Sequence, residues 1–170
     1  MMTRPYPPRG PFHYRRPIEV RFGDTDAMGH VNNAVYLTYF EMARAGYYRA
    51  ATGSTFGIGA ESNERSFILA EARVTYVSPI RFGEPLVCEC RVAWAGCSSF
   101  GMEFRLLAED SPFGRARLAA HGATVQVMYD YATGRVQPLP AELRARVEAY
   151  EGRPITSREA AEAADEGPAR

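Results

Sequence analysis

Lysine is absent from the sequence: all 20 basic residues are arginines, and 20 acidic residues balance them to a net charge of zero. A chain without net charge creates no overall field that attracts nucleic acid or an anionic membrane. No segment approaches the roughly 18 consecutive apolar residues that a membrane-spanning helix needs. The N-terminal residues include arginines but no apolar run, so no secretory signal is predicted. These absences predict a cytoplasmic protein with neither nucleic acid nor a membrane as its partner.

Cysteine is scarce, with only Cys88, Cys90 and Cys97 in the chain. An odd, clustered set does not build a disulfide framework, and no cysteines and histidines have the spacing of a zinc site. We interpret the three cysteines as small core residues in a reducing compartment. The sequence also lacks the glycine-rich motifs that hold phosphates and the G-x-S-x-G motif of serine hydrolases. No metal and no cofactor are therefore predicted.

The composition indicates one globular domain between two polar ends. A hydrophobic content of 46% and a charged content of 24% are ordinary and exclude a wholly disordered chain. The 170 residues suffice to bury roughly 70% of the surface that the unfolded chain exposes. Residues 1–15 and 151–170 lack apolar periodicity, which predicts a flexible arm and a disordered tail around a domain at 16–150.

Periodicity predicts an α+β fold. Residues 17–22 alternate as a strand with Phe22 facing inward, and residues 33–51 form a long helix that is apolar on most sides. Four further antiparallel strands are predicted at 66–77, 86–94, 99–107 and 115–131, and a short amphipathic segment follows at 140–150. Gly122 predicts a bulge or bend, and Gly46 predicts close approach to a neighbouring backbone. A five-stranded sheet around one helix leaves exposed edges, which predict a homodimer.

The densest group of reactive side chains lies in FGDTDAMGHVNN at residues 22–33, between the first strand and the helix. A helix N-terminus carries unpaired N–H groups and partial positive charge, so it can hold an oxyanion or a polarised carbonyl oxygen. Asp26 or Asp24 is then placed to attack that carbonyl or to activate water. The alternative is a structural loop, with Asn32 as the helix N-cap.

The run VRFGDTDAMGHVNNAVYLTYFEMAR at residues 20–44 resembles the 4-hydroxybenzoyl-CoA thioesterase family of acyl-CoA thioesterases. RVTYVSPIRFGEPL at 73–86 and VQVMYDYATGRVQPLPAEL at 125–143 are similar to later segments of that family. The resemblance covers about residues 16–150. It implies the hotdog fold, in which a curled antiparallel sheet wraps a long central helix. It also implies a homodimer or homotetramer with each active site at a subunit boundary.

The resemblance further implies hydrolysis of an acyl-CoA thioester to a free acid and CoA. Asp26 matches the family's catalytic aspartate, which acts as nucleophile or as general base for water. The backbone N–H near Asn33 matches the group that polarises the thioester carbonyl. Gly29, Tyr36 and Arg81 are expected in substrate binding together with Asn33. Arginines must meet the CoA phosphates, and the candidates are Arg65, Arg73, Arg81 and Arg91.

His30 marks a departure from the aromatic thioesterases of the family, which have an apolar residue at this position. The G-H-V-N-N form also resembles plant acyl-carrier-protein thioesterases, but Met28 stands where their pattern has asparagine. His30 is expected to act as an acid or base, to orient the substrate or only to shape the loop. The alternative functions are an acyl-carrier-protein thioesterase and a non-catalytic acyl-CoA-binding hotdog module.

Several other residues have two interpretations. Asp24 is expected to pin the loop, and Glu41 to pair with Arg44 three residues later on the helix. His121 is expected to be a core or edge histidine. Four helix aromatics either line an acyl pocket or belong to the core: Tyr36, Tyr39, Phe40 and Tyr47.

Overall fold

A computed structural model describes residues 7–53 and 67–165 of the chain. Its elements in chain order are β1 (Tyr14–Ile18), a 3-10 turn (Phe22–Asp24), α1 (Val35–Thr52), β2 (Phe67–Tyr76), β3 (Leu86–Ala95), β4 (Ser99–Ala108), β5 (Arg117–Asp130), β6 (Arg135–Val136), α2 (Ala141–Glu151) and α3 (Arg158–Asp165). The strands pair antiparallel in the order β1-β3-β4-β5-β2, and β6 pairs with β5. The predicted α+β architecture, one long helix on a five-stranded antiparallel sheet, is confirmed.

The core lies between α1 and the concave face of the sheet. Tyr36, Tyr39, Phe40 and Tyr47 of α1 are each at most 3% exposed. Phe40 stacks on Phe104 of β4, with the ring centroids 4.6 Å apart. These aromatics therefore belong to the core, and Tyr47 also lines a small internal cavity.

The other side of α1 is open in the single chain. Arg44 and Tyr48 are buried, although both side chains carry polar groups. Leu37 is instead 40% exposed, and Thr38 and Glu41 beside it are exposed as well. The prediction of a helix enclosed on almost all sides is wrong for one chain, because the sheet curls around one side of α1 only.

The first strand lies earlier than periodicity predicts. The sequence predicts it at 17–22, whereas β1 spans Tyr14–Ile18 and so begins inside the predicted arm. Phe22, predicted to face inward, is 79% exposed because the chain has already turned into the loop before α1. A Cβ atom on Gly46 would overlap the ring of Tyr14, so the close approach predicted there is to a side chain and not to backbone.

Gly122 serves close packing and not a bulge. The pairing of β5 with both neighbours runs through Gly122 without interruption, and the register between β4 and β5 shifts at Leu106 and Leu107 instead. A Cβ atom on Gly122 would overlap the carbonyl oxygen of Arg73 and the ring of Phe40. Glycine is therefore required where the Phe40 ring of α1 packs on β5.

The segment from Glu151 onward contributes to the core, although the predicted tail begins at this residue. The Glu151 carboxylate accepts hydrogen bonds from the Tyr47 hydroxyl at 2.6 Å and from the Val92 N–H at 3.0 Å. Ile155 is only 2% exposed. The Ala95 N–H donates to the carbonyl oxygen of Thr156 at 3.0 Å. Single anchoring residues of this kind produce no periodicity, so composition does not indicate them.

The cysteines do not all behave as predicted. Cys88 and Cys90 are free thiols within the core, and burial raises the pKa of both. Cys97 is a free thiol but is exposed, because it lies in the turn between β3 and β4, so its interpretation as a core residue is wrong. No helix in the described part of the chain is long and apolar enough to cross a membrane.

Candidate active site

Residues 24–32 form a small hairpin between β1 and α1. The Asn32 N–H donates to the carbonyl oxygen of Asp24 at 2.9 Å, which closes the base of the hairpin. Thr25 and Val31 form a β-bridge one step further along. These backbone bonds hold the motif segment in one conformation immediately before the helix begins.

Asp26 and His30 lie opposite each other at the tip of this hairpin. The Asp26 N–H donates to the His30 carbonyl oxygen at 2.8 Å, and Gly29 closes the turn with a φ of 77°, in the left-handed region that favours glycine. The Asp26 Oδ1 atom accepts the Met28 N–H at 2.8 Å. No hydrogen bond from the described residues occupies Asp26 Oδ2. The exposed carboxylate is thus oriented through one oxygen and open at the other.

Asp24 occupies the opposite environment, since it is 2% exposed beneath the start of α1. Its carboxylate pairs with the Arg21 guanidinium at 2.8 Å and accepts the Tyr39 hydroxyl at 2.8 Å. Burial opposes ionisation, but the hydrogen bonds from Arg21 and Tyr39 outweigh it and hold the pKa of Asp24 below its ordinary value. Asp24 therefore pins the hairpin to α1.

The start of α1 follows the hairpin directly. The Asn32 side chain accepts the Ala34 N–H at 2.9 Å, and its carbonyl oxygen accepts the Val35 N–H at 2.9 Å. The N-cap position itself is Ala34, two residues later than predicted, although Asn32 supplies the capping oxygens. In the part of the chain that the structure describes, the Asn33 N–H has no acceptor. The Tyr76 hydroxyl donates to the Asn33 carbonyl oxygen at 3.0 Å and so fixes this residue.

Tyr36 and Arg81, both predicted to bind substrate, differ in exposure. Tyr36 is buried, its ring contacts that of Tyr76 at a centroid distance of 5.0 Å, and burial raises its pKa. It therefore supports the helix start from below and does not offer its side chain at the surface. Arg81 is exposed and follows Ile80, whose carbonyl oxygen accepts the Val31 N–H at 2.8 Å. This hydrogen bond places Arg81 beside the hairpin.

A cavity of about 250 Å³ lies beside Arg81 and also contacts Phe113 and Arg117. The Arg117 guanidinium pairs with buried Glu84 at 2.9 Å and donates to the Pro79 carbonyl oxygen at 2.7 Å. Arg117 was not predicted from the sequence. No local pattern indicates it, because β5 meets the turn before β3 only in the folded chain.

The other arginine candidates for CoA phosphates are placed less favourably. The Arg91 guanidinium pairs with Glu103 at 2.7 Å and lies 4.7 Å from the centroid of the Phe12 ring. Arg73 is exposed on β2. Arg65 lies outside the described residues. Arg81 is thus the predicted arginine that the structure brings to the hairpin.

The arrangement suits attack on a carbonyl group. A carboxylate with an open oxygen can act as nucleophile or general base, an unpaired N–H can hold the developing oxyanion, and an imidazole can transfer a proton. Within residues 7–53 and 67–165, no group of three or more histidines, cysteines, aspartates or glutamates is placed to hold a metal ion.

Comparison with known proteins gives the class of this chain. The family model of the thioesterase-like superfamily matches residues 20–147, so the chain belongs to this superfamily. A thioesterase from Thermus thermophilus, solved in complex with coenzyme A and zinc, is 37% identical; the match covers 85% of this chain and 98% of that one, with a TM-score of 0.70. A thioesterase-superfamily protein from Jannaschia sp. CCS1 is 26% identical over 87% of this chain and 89% of that one, with a TM-score of 0.74.

One more distant relative matches in fold and another in sequence. A 1,4-dihydroxy-2-naphthoyl-CoA thioesterase from Synechocystis is 18% identical over 79% of this chain and 94% of that one, with a TM-score of 0.68. The Bacillus subtilis protein YsmA is 25% identical over 93 residues, which are 55% of this chain. The chain spans 60% of the length of this curated relative. The long helix on a curled antiparallel sheet is the hotdog fold, as the sequence resemblance predicts.

Proposed function

We propose that this protein is an acyl-CoA thioesterase, which hydrolyses a thioester R–CO–S–CoA to a carboxylate and free CoA. The observation that carries the proposal is the Asp26 carboxylate, open at Oδ2, on a hairpin that leads directly into the unpaired Asn33 N–H of the described chain. Membership of the thioesterase-like superfamily supports it. The coenzyme A in the Thermus thermophilus relative supports CoA as the thiol portion of the substrate.

Asp26 has two routes to the same products. As nucleophile, its carboxylate attacks the carbonyl carbon and expels the CoA thiolate, and water then hydrolyses the mixed anhydride. As general base, it takes a proton from water while the water oxygen attacks, and that proton passes to the leaving thiolate. In both routes the Asn33 N–H donates to the carbonyl oxygen as negative charge develops. Loss of one such donor in other enzymes costs about 2.7–4 kcal/mol of transition-state stabilisation.

His30 and Arg81 assist on the CoA side of the thioester, one at the sulfur and the other at the phosphates. His30, opposite Asp26 in the hairpin, protonates the leaving thiolate or orients the substrate. Arg81 meets the CoA phosphates, since a guanidinium matches phosphate geometry through two parallel hydrogen bonds. Such an exposed contact weakens as ionic strength rises. Gly29 holds the turn between these groups, and Tyr36 supports the helix start from the core.

The test is thiol release from a panel of acyl-CoAs by the wild type and by Asp26→Asn. We expect the variant to lose more than tenfold in kcat, a barrier increase above about 1.4 kcal/mol, because an amide is neither nucleophile nor base. Its free energy of unfolding should change by less than about 0.5 kcal/mol, since Asp26 is exposed. Glu109→Gln removes another exposed carboxylate and is the control, which should keep full activity.

The same assay separates the alternatives. Retention of more than about a tenth of kcat in Asp26→Asn would make the catalytic assignment wrong. A wild-type preference for acyl-carrier-protein thioesters over acyl-CoAs would favour that alternative enzyme. Binding of acyl-CoA without thiol release would favour a non-catalytic binding module.

A further inference from the structure

Two cavities beside α1 share two of their lining side chains, Arg44 and Phe67. The outer groove, about 340 Å³, opens on the exposed side of α1 beside Leu37 and Glu41. The inner cavity, about 30 Å³, is enclosed by α1, the sheet and α2. Arg44 of α1 and Phe67 of β2 contribute to the walls of both. These two side chains lie where the groove and the inner cavity meet, and we refer to them as the partition.

The inner cavity has the chemistry of a hydrocarbon site. Apart from Arg44 and Arg144, the side chains around it are aromatic or aliphatic, among them Phe100, Met102 and Val147. A cavity with such a lining stays dry. An engineered cavity of about 150 Å³ admits benzene. The inner cavity, at about 30 Å³, is too small for a ring and suits the end of a methylene chain.

The two side chains of the partition are held differently: the Phe67 ring meets the rings of Tyr48 and Phe100 edge-on, whereas Arg44 has a weaker anchor. Among the described residues, the buried Arg44 guanidinium has one partner, the Glu41 carboxylate at 3.5 Å, and that carboxylate is itself exposed. Burial outweighs this carboxylate and lowers the pKa of Arg44, so its guanidinium gains hydration by turning toward the groove, while its stem continues to cover apolar surface. Phe67 is the first residue of β2 and is only half-buried.

The exposed side of α1 connects this partition to the proposed reaction centre. Leu37, Glu41 and Arg44 follow one another at helical spacing and share one face of α1, which begins two residues after Asn33. The distance along α1 from Val35 to Arg44 is about 14 Å, at 1.5 Å per residue. A straight chain that starts at a carbonyl bound to the Asn33 N–H and follows this face reaches the partition. A short acyl group ends in the outer groove.

We propose that Arg44 and Phe67 form a gate between the outer groove and the inner cavity, and that the substrate is a linear aliphatic acyl thioester whose chain end passes this gate. The inference rests on the proposed function, because the chain is positioned by its thioester carbonyl at Asn33. The gate then sets chain-length selectivity. Each additional methylene that becomes buried is expected to change kcat/KM about fourfold.

The experiment measures kcat/KM for straight-chain acyl-CoAs from butanoyl to hexadecanoyl, with benzoyl-CoA as the aromatic comparison. Phe67→Ala opens the partition and should raise the ratio of kcat/KM for long over short chains at least tenfold. Phe67→Trp fills the opening and should lower that ratio, so the two variants move it in opposite directions. Arg44→Met, which removes the charge at similar size, should also raise it. Val136→Ala shortens an exposed apolar residue of β6 and is the control, which should keep the wild-type profile.

The outcomes distinguish the gate from the proposed function. The gate is wrong if kcat/KM depends on chain length in the same way in the wild type and in both Phe67 variants. The thioesterase assignment then still holds, because the thioesters are hydrolysed. A preference of the wild type for benzoyl-CoA over every straight-chain acyl-CoA also overturns the gate and keeps the thioesterase assignment. If the wild type releases no thiol from any acyl-CoA, the proposed function fails. The gate is then tested by the binding of straight-chain fatty acids to the wild type and to Phe67→Trp. If the variant binds long acids more weakly and short acids equally well, the gate is supported. If the binding of long acids is unchanged, the gate is wrong.

Discussion

Asp24 and Asp26 stand two positions apart in the motif, yet the hairpin gives them opposite environments. Asp24 lies beneath α1 with Arg21 and Tyr39 on its oxygens, whereas Asp26 is exposed at the tip with one oxygen open. A carboxylate whose oxygens are occupied by internal donors has little capacity left for a substrate. The difference in hydrogen bonding gives Asp24 a structural role and supports the proposal that Asp26 performs the chemistry.

Asp24→Asn should lower stability more than it lowers turnover per folded molecule. We expect a loss of about 1–3 kcal/mol in the free energy of unfolding, because the charged hydrogen bonds to Arg21 and Tyr39 are weakened. Urea denaturation at neutral pH measures this loss. Glu19→Gln, at an exposed carboxylate, is the control and should change stability by less than about 0.5 kcal/mol.

The contribution of Asp24 should also depend on pH. Its pKa is lower in the folded chain than the value of about 3.9 expected when unfolded, so the unfolded state binds more protons in the acid range. The stabilisation is therefore complete above about pH 4 and is lost as the pH falls through the folded pKa. The difference in stability between wild type and Asp24→Asn should shrink in that acid range. A difference that stays constant down to the lowest pH would contradict the assignment.

At the scale of elements, the contact between α1 and β5 depends on one missing side chain. Gly122 lies against the Phe40 ring of α1 and against the backbone of β2 at Arg73. Both neighbours are constrained, one by stacking on Phe104 and the other by the strand ladder. Neither can move away cheaply, so a side chain at position 122 would strain the packing of Phe40 and β2 on β5.

Gly122→Ala should destabilise the chain by about 1–3 kcal/mol, the usual effect of overpacking a core. Gly23→Ala is the matched control, since a Cβ atom there meets no atom within 4 Å. Denaturant unfolding of both variants measures the difference. Equal stabilities would show that α1 and the sheet are less closely packed than the structure has them.

The segment after α2 is a second element whose contribution can be measured. Ile155 is buried, and its carbonyl oxygen accepts a hydrogen bond from the Arg144 guanidinium. A chain shortened to residues 1–152 loses this anchor and should unfold at lower denaturant concentration, by about 2–5 kcal/mol if the effect resembles truncation of a buried isoleucine. A chain shortened to residues 1–165 keeps the anchor and should match the full chain. Equal stabilities of the two shortened chains would contradict a role for Ile155.

At the scale of the whole molecule, the sheet ends in two edges, β1 and β2. Near β2 lie the exposed apolar residues Leu69, Tyr76, Val77 and Tyr131. An exposed strand edge beside apolar side chains is a surface on which another strand pairs readily. The open side of α1 adjoins the same surface at Leu37. Pairing of two copies across this region would bury apolar area that a single chain leaves in water.

We therefore predict that the protein is a homodimer, or two such dimers paired into a tetramer. Light scattering at micromolar concentration should give two or four times the chain mass of 18.9 kDa. Replacement of Leu69 by lysine should shift the equilibrium toward monomer, because a charge at an apolar contact is costly to bury. A monomer of 18.9 kDa with full activity would contradict the prediction.

Local sequence patterns were sufficient to predict the class of the fold and to indicate a candidate site. Apolar residues alternate along β3 and β4, and no helix-breaking residue interrupts the apolar pattern of α1. Local periodicity was therefore enough to predict these three elements within a few residues. The glycines and aspartates of the motif at 22–33 indicate a loop between strand and helix, but the hairpin within it is seen only in the structure.

Only the tertiary structure decided which of those residues are buried and which are open. Arg44 and Tyr48 are buried, whereas Phe22 and Cys97 are exposed. Their burial depends on where the sheet ends and not on the local sequence pattern. Arg117 reached Glu84, and Ile155 entered the core, through contacts between segments far apart in the chain. The same long-range packing created the two cavities that Arg44 and Phe67 separate. Periodicity reports the neighbours within one element, whereas a site made by several elements exists only once they have packed together.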